Sequence, residues 1–365
     1  MLVANKDYRT IWVNDTHLPD VQIIDQRHLP HRFVVETLST YKQMATAIKE
    51  MHLRGAGLIG VAGAFGVYLA YRDAMYRNKS VEFIQSAISE ILNTRPTAVN
   101  LKWAIEIVTS RVKNIEAIEE KVTKALEVAK ELANLDAESC RMIGVNGLPI
   151  IEEISRKKNG ETVNILTHCN AGWLAFTDYG SALSPIYHAH RKGIKVHVWV
   201  DETRPRNQGA ALTTWELLNE GVPHTLIVDN VGGHLMQNGM VDLVITGADR
   251  IASNGDTANK IGTYLKALAA HDNGIPFYVA APTSTFDFAL ETGLGKIPIE
   301  MRTGDEVKYI NGLLNDKVVD VLICPTQTQV ANYGFDVTPS RLIKAFITEK
   351  GIIAPNTDEI TKLNS

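Results

Sequence analysis

The 365-residue chain predicts an α/β protein in two parts. Residues 1–154 read as a β-hairpin followed by a helical domain, and residues 155–365 as a doubly wound, mainly parallel sheet. Three observations carry this. After Gly160, short β-rich apolar runs recur at 163–167, 195–200, 225–228, 243–246, 276–280 and 319–324. Helical patterns lie between most of them, at 174–191, 209–220 and 261–270, and such alternation argues for a parallel sheet with right-handed crossovers. Before residue 155 the apolar spacing is helical, and Arg156-Lys-Lys-Asn-Gly160 reads as the linker.

The elements follow in order. Thr10-Ile-Trp-Val13 and Val21-Gln-Ile-Ile-Asp25 are extended runs with turn residues between them, which predicts a hairpin. Tyr41, Met44, Ala45 and Ile48 give a helix over 40–51. A second helix over 58–75 begins Leu-Ile-Gly-Val-Ala-Gly-Ala-Phe-Gly, small and apolar nearly all round, so it is expected to be closely buried. Helices at 80–92 and 96–112 come next, the latter with Pro96 in its first turn, where a missing N–H costs nothing. A charged amphipathic run extends from 114 toward 154. The closing segment 338–347 reads as a last helix.

Composition excludes several classes. A net charge of −4 offers no basic face for nucleic acid. Cys140, Cys169 and Cys324 are odd in number and widely spaced, which suits a reducing compartment rather than a disulfide framework. The N-terminus lacks a signal core, and no run approaches the roughly 20 apolar residues of a membrane span. A cytoplasmic protein handling small molecules is expected. His168, His234 and His271 show no metal-ligand spacing, so no metal site is expected.

Strand ends concentrate the polar chemistry. The run Val241-Asp-Leu-Val-Ile-Thr246 stops at Gly247-Ala-Asp249, and a helix pattern from Ala258 or Asn259 places Lys260 in its first turn. An acid at a strand end and an Asn259–Lys260 pair at a helix N-terminus would share one crevice. Thr167-His-Cys-Asn-Ala-Gly172 puts Cys169 at another strand end before a helix; a tuned thiol and a small buried residue fit it equally well. The Asp201–Gln208 loop, with Arg204 and Arg206, reads equally as a phosphate loop or as a surface loop held by its own ion pairs. Arg54-Gly-Ala-Gly57 has glycines before a helix, a weak anion-loop pattern.

Together these motifs resemble the methylthioribose-1-phosphate isomerases, homologous to the alpha, beta and delta regulatory subunits of translation initiation factor 2B. The matching segments are Arg54-Gly-Ala56, Thr94-Arg-Pro-Thr-Ala-Val-Asn-Leu101, Thr167-His-Cys-Asn-Ala-Gly172, Val200-Asp-Glu-Thr-Arg-Pro205, Gln208-Gly-Ala210, Gly247-Ala-Asp-Arg-Ile-Ala252, Asn254-Gly-Asp256, Ala258-Asn-Lys-Ile-Gly-Thr263, Val279-Ala-Ala-Pro282 and Phe335-Asp-Val-Thr-Pro339. The resemblance implies a helical N-terminal domain followed by a Rossmann-like domain, a homodimer and no cofactor. It implies Cys169 and Asp249 as the catalytic pair, with Asp249 the proton donor. It also implies binding of the sugar phosphate by Arg54, Gly55, Ala56, Arg95, Gln208, Asn259 and Lys260.

The implied reaction converts 5-methylthioribose 1-phosphate to 5-methylthioribulose 1-phosphate in methionine salvage. The chain departs from the family pattern at Gly57 and Leu58, at Asn207 and Ala211 around Gln208, and at Val231-Gly-Gly-His234. These departures bear on the C5 substituent, so 5-deoxyribose 1-phosphate and ribose 1,5-bisphosphate are the alternative substrates. A non-catalytic regulatory subunit on the same fold is the alternative of another class.

Overall fold

The computed structural model describes residues 1–95 and 99–364. The expected Pro96 of a first helical turn lies outside them, as do Thr97 and Ala98 of the matching motif.

Strands β1 (Leu2–Val3) and β2 (Lys6–Asp7) form a short antiparallel pair. The expected hairpin is present as β3 (Ile11–Val13) and β4 (Val21–Ile24), and β5 (Val35–Leu38) adds a third antiparallel strand. Thr40 caps α1 (Tyr41–Lys49) by accepting from the Gln43 N–H. Helix α2 (Ala56–Tyr76) is buried along nearly its whole length, as its small apolar sequence predicts. It packs against α1, α3 (Val81–Leu92), α4 (Val99–Val112) and α5 (Ile118–Lys157). The amphipathic run and its extension are one 40-residue helix, α5, with Pro149 inside it. The expected linker is shorter than read: α5 continues through Lys157, and the turn is made by Asn159 and Gly160, both at positive φ.

The second half begins with β6 (Val163–Thr167), α6 (Ser184–Arg191), β7 (Val196–Asp201), α7 (Thr214–Asn219), β8 (His224–Ile227), α8 (Val231–Gln237) and β9 (Leu243–Thr246). Then come β10 (Arg250–Ala252), β11 (Thr257–Lys260), α9 (Thr263–Asp272), β12 (Phe277–Ala280), β13 (Phe286–Asp287), α10 (Asp305–Lys308), β14 (Tyr309–Leu314) and β15 (Lys317–Leu322). The chain closes with β16 (Phe335–Thr338), β17 (Ala345–Thr348), β18 (Gly351–Ile353) and α11 (Thr357–Thr361).

Seven strands form the main sheet in the order β18-β17-β12-β9-β6-β7-β8, parallel except for β18. This is the doubly wound α/β sheet the sequence predicts. The chain steps outward from β6 through β7 to β8, then returns to lay β9 beside the other edge of β6. Strand order therefore reverses between β6 and β9, and in open α/β sheets the crevice at such a switch point is where ligands bind.

Four readings are corrected. Residues 257–260 are not a helix start: β11 lies in a second sheet, β13-β10-β11-β16, paired antiparallel with β10 and β16. Only at Thr263, after Gly262 in the left-handed region, does a helix begin. The 174–191 stretch is helical only over α6; before it lie a single 3-10 turn at Trp173–Ala175 and buried loop. The run at 319–324 joins an isolated hairpin, β14–β15, and not the main sheet. The closing segment 338–347 is not a helix: a 3-10 turn at Ser340–Leu342 leads into β17, whose four residues are all buried. A strand covered on both faces loses the period-two pattern and cannot be told from a buried helix by periodicity.

Candidate active site

All nine residues singled out as catalytic or substrate-binding line one cavity at the switch point: Arg54, Gly55, Ala56, Arg95, Cys169, Gln208, Asp249, Asn259 and Lys260. Cys169 follows β6 by two residues and Asp249 follows β9 by three, so adjacent parallel strands present them from the same end. The second sheet supplies Asn259 and Lys260 from β11, and the loop before α2 supplies Arg54 and Gly55.

Each wall is held by specific contacts. Cys169 has φ of +66°, a left-handed conformation costly for a side chain with Cβ. It is fixed from both sides: its N–H donates to Thr203 Oγ1 at 2.7 Å, and its carbonyl accepts from Thr213 Oγ1 at 2.7 Å. The Arg54 guanidinium donates from Nη1 and Nη2 to the Asn170 carbonyl, each at 3.0 Å, and also to Asn170 Oδ1. Gly55 has φ of +100°, and a Cβ there would sit 2.4 Å from the Ala175 carbonyl oxygen. Glycine is thus required where α2 meets the loop after β6. Asn259 Nδ2 donates to Thr263 Oγ1 at 2.9 Å, and Lys260 Nζ lies 5.2 Å from the centre of the Phe335 ring.

The anion logic of Lys260 changes with its element. It sits on a fully buried strand, so it offers a side-chain ammonium and no helix N-terminus. Cys169 likewise precedes no helix, since α6 starts fifteen residues later, at Ser184. The arginines of the Asp201–Gln208 loop do not line the cavity. Arg204 Nη2 donates to the Val307 carbonyl at 2.9 Å and Arg206 Nη1 to Glu306 Oε1 at 2.9 Å, so only Gln208 of that loop reaches the site.

Burial and the neighbouring cations act in opposite directions at the catalytic positions. Burial pushes the Asp249 carboxyl up from its ordinary range, while Lys260, Arg95 and Arg54 pull it back. Burial also pushes the Cys169 thiol up, opposed by Arg54 and Lys260. Burial draws Lys260 down, and Cys169 and Asp249 oppose that shift. A carboxyl raised by burial, in the same cavity as a thiol, is suited to donating a proton and then accepting one back. Arg54 Nε, Arg95 Nε and Nη1, and Gln208 Oε1 are buried with no hydrogen-bond partner among the described residues. Such groups at a cavity wall fit ligand oxygens and hydroxyls.

Sequence reasoning misses four groups. Glu216, fully buried on α7, accepts from Asn170 Nδ2 (2.8 Å), Leu174 N (3.0 Å), Trp173 N (2.9 Å) and Tyr187 Oη (2.7 Å). It seats the loop that carries Cys169 and Asn170; its only signal is a lone carboxylate in Leu-Thr-Thr-Trp-Glu-Leu-Leu. Glu300 and Arg302 line the cavity from a segment outside the named strands and helices, whose charges give no element to place them on. His168, Asp201 and Asp229 could together hold a metal ion, as could Asp25, Glu36 and His52. In the first group Lys266 Nζ, 3.3 Å from Asp201 Oδ2, already supplies a positive charge.

Comparison with known proteins agrees with this geometry. A family model described as the initiation factor 2 subunit family matches residues 52–355. The chain is 51% identical over 363 residues to a methylthioribose-1-phosphate isomerase of Desulfatibacillum aliphaticivorans, covering 100% of this chain and 98% of that one. It is 53% identical over 356 residues to the enzyme of that name from Sulfurimonas denitrificans, covering 97% and 98%. Among solved structures, the 5-methylthioribose 1-phosphate isomerase of Pyrococcus horikoshii OT3 superposes with a TM-score of 0.82 at 37% identity, covering 98% of this chain and 96% of that one. The chain belongs to the initiation factor 2 subunit family and, within it, to the methylthioribose-1-phosphate isomerases.

Proposed function

We propose that this protein is an aldose–ketose isomerase that converts 5-methylthioribose 1-phosphate to 5-methylthioribulose 1-phosphate, the methionine-salvage reaction. The observation that carries the reading is the opposition of Cys169 and Asp249 across the β6–β9 switch point, in a cavity that also holds Arg54 and Lys260. The chemistry needs such a pair. Phosphate on the anomeric oxygen prevents spontaneous ring opening, so the ring must open with the phosphate in place. Asp249 donates its proton to the ring oxygen as the bond from that oxygen to C1 breaks. Hydrogen then moves from C2 to C1 while the C2 hydroxyl becomes the ketone.

Cys169 acts at C1 and C2 by one of two routes. As the thiolate that the Arg54 and Lys260 charges favour, it removes the C2 proton, giving an enol phosphate that the resulting thiol reprotonates at C1, or it shields the charge while hydride passes directly. Asp249 recovers its proton from the C2 hydroxyl as that oxygen becomes the ketone, or through solvent. Arg54, Gly55, Ala56, Arg95, Gln208, Asn259 and Lys260 hold the sugar phosphate, and charge-assisted bonds from the cations keep the phosphate from leaving.

Turnover of 5-methylthioribose 1-phosphate, 5-deoxyribose 1-phosphate and ribose 1,5-bisphosphate by the purified protein tests the assignment. The first should have the highest kcat/KM; absence of turnover of all three refutes it. Wash-in of solvent deuterium at C1 marks the proton route, and full retention of the C2 hydrogen marks hydride transfer.

The reading extends to the assembly and the compartment. Division of the chain is supported by a largely helical core running from Ile11 to Ala133, separate from a sheet core that also takes in Met1, Val3, Ile24, Leu29, Ile143 and Ile151 from before residue 155. A homodimer is supported by the β14–β15 hairpin, which exposes Leu313, Leu314, Val318, Val321 and Leu322. Three free cysteines support a cytoplasmic setting, and no helix among the described residues is long and apolar enough to cross a membrane.

A further inference from the structure

Five residues of the cavity wall carry a buried polar atom with no hydrogen-bond partner among the described residues: Arg54, Arg95, Asn100, Ser181 and Gln208. Arg54, Arg95 and Gln208 hold the sugar phosphate, so their orphaned atoms have a ligand to meet. Asn100 and Ser181 have no such role. Asn100 also lines a second cavity, and its Nδ2 donates to Ser284 Oγ at 3.1 Å, so its free oxygen is not confined to this site. Ser181 is 1% exposed. Its N–H donates to the Ala171 carbonyl at 2.9 Å and its carbonyl accepts from the Ser184 N–H at 3.3 Å, which leaves only the hydroxyl over. Ala171 lies two residues after Cys169, and Gly247 lies two residues before Asp249. A Cβ built on Gly247 would sit 2.6 Å from Ala171 Cβ and 3.6 Å from Ser181 Oγ. Ser181 therefore stands where the loops after β6 and β9 meet, between the two catalytic residues.

We infer that Ser181 is a further substrate-binding residue, whose hydroxyl bonds a sugar oxygen held between Cys169 and Asp249. A buried hydroxyl without a partner costs the free protein stability, and alanine would serve the same backbone without that cost. A bound sugar supplies the missing partner. Its desolvation is already complete in the free protein, so the bond to the ligand returns more than one from an exposed hydroxyl. The chemistry has a use for such a contact. Cations that grip the phosphate leave the sugar free to turn about its bond to the phosphate, whereas ring opening and hydrogen transfer need the ring seated between Cys169 and Asp249. A hydroxyl both donates and accepts, so Ser181 can serve the closed ring and the opened chain alike. The inference rests on the sugar-phosphate reading above and adds to it a neutral contact that orients the sugar.

The test pairs ligand affinity with the stability of the free protein. 5-Methylthioribose 1-phosphate is titrated calorimetrically into full-length Asp249→Asn and Asp249→Asn/Ser181→Ala, and the melting temperature of each is measured without ligand. Because the hydroxyl has no partner in the free protein, the alanine variant should melt no lower than its parent. It should bind the sugar phosphate about tenfold more weakly, and Ser181→Ala alone should lose kcat/KM by at least that factor. An affinity unchanged within about twofold overturns the inference, whatever the melting temperature. If Ser181→Ala does not fold, Ser181→Cys, of similar size and only a weak donor, is read the same way. Failure of the wild-type protein to isomerise 5-methylthioribose 1-phosphate would refute the functional reading and this inference with it. Wild-type turnover together with an unchanged affinity of the alanine variant would overturn the role of Ser181 alone.

Discussion

Replacing Glu216 by glutamine probes how the site is held. The carboxylate receives four hydrogen bonds, two on each oxygen, from Asn170, Leu174, Trp173 and Tyr187. Burial raises its carboxyl, and these donors offset that rise only in part. Glutamine keeps one acceptor oxygen and presents an amide N–H₂ to two former donors. The least costly placement keeps oxygen toward Asn170 and Leu174, since Asn170 Oδ1 is committed to Arg54 and the Asn170 amide cannot turn. Tyr187 can then rotate its hydroxyl to accept, but the Trp173 N–H is left buried against another donor. Two hydrogen bonds to a charged group are worth about 1.5–3 kcal/mol each, one neutral bond returns about 1 kcal/mol, and an orphaned buried N–H costs about 1–3 kcal/mol. Relief of the buried charge offsets part of this, so we expect a loss of about 3 kcal/mol. Loss of the Trp173 bond would loosen the loop that carries Asn170, and with it the Arg54 clamp, so kcat/KM should fall by on the order of a hundredfold. Thermal melting and steady-state kinetics on the same sample check both. A variant with wild-type melting and wild-type kcat/KM would refute the claim that Glu216 organises the Cys169 loop.

Other consequences follow from the same geometry. At Gly172 an added Cβ would lie 1.8 Å from Glu216 Oε2, so Gly172→Ala should be at least as damaging as Glu216→Gln in both assays. Burial works to raise Glu306, but the Arg302 and Arg206 guanidiniums win and hold it at about 2. A depressed carboxyl stabilises the fold above its ordinary value of 4.5, by about 3 kcal/mol as an upper figure, and loses that contribution as pH falls from 4.5 toward 2. Glu306→Gln should therefore destabilise at pH 7 and flatten the acid limb of stability against pH; an unchanged limb contradicts the assignment. Since Asp249 must be protonated to donate, kcat/KM should fall as pH rises through its raised pKa. Removing the nearby positive charge with Lys260→Met should lower kcat/KM and move this alkaline limb to higher pH, and a limb moving downward would contradict the acid role.

The site is more legible in the sequence than the elements carrying it. Residues ending buried parallel strands announce themselves, because an apolar β-rich run stops at glycine or a polar residue, as at Thr167-His-Cys and Thr246-Gly-Ala-Asp. Cys169 and Asp249 are found for that reason, whereas Gly55, Ala56, Arg95 and Gln208 are named only through the family resemblance; all nine line one cavity. Lys260 reads as helical because its own pairing partner, Phe335 of β16, lies 75 residues further on, beyond the reach of the local β10–β11 hairpin. The 173–183 loop reads as helix because its stabilising contacts are also remote. Thr10 Oγ1 donates to the Trp173 carbonyl, Gln26 Nε2 to the Leu174 carbonyl, and Asp136 accepts from the Thr177 N–H. Buried loops of this kind take their polar satisfaction from distant side chains, and spacing within the loop cannot show it.

Measurement of binding and turnover by Asp249→Asn tests the central claim most directly. If Asp249 donates the ring-opening proton, the variant should bind 5-methylthioribose 1-phosphate with an affinity near that of the wild type. Its turnover should fall by about 10²–10⁴-fold, the usual contribution of a positioned acid. An Asp249→Asn variant that isomerises the sugar at the wild-type rate would contradict the account.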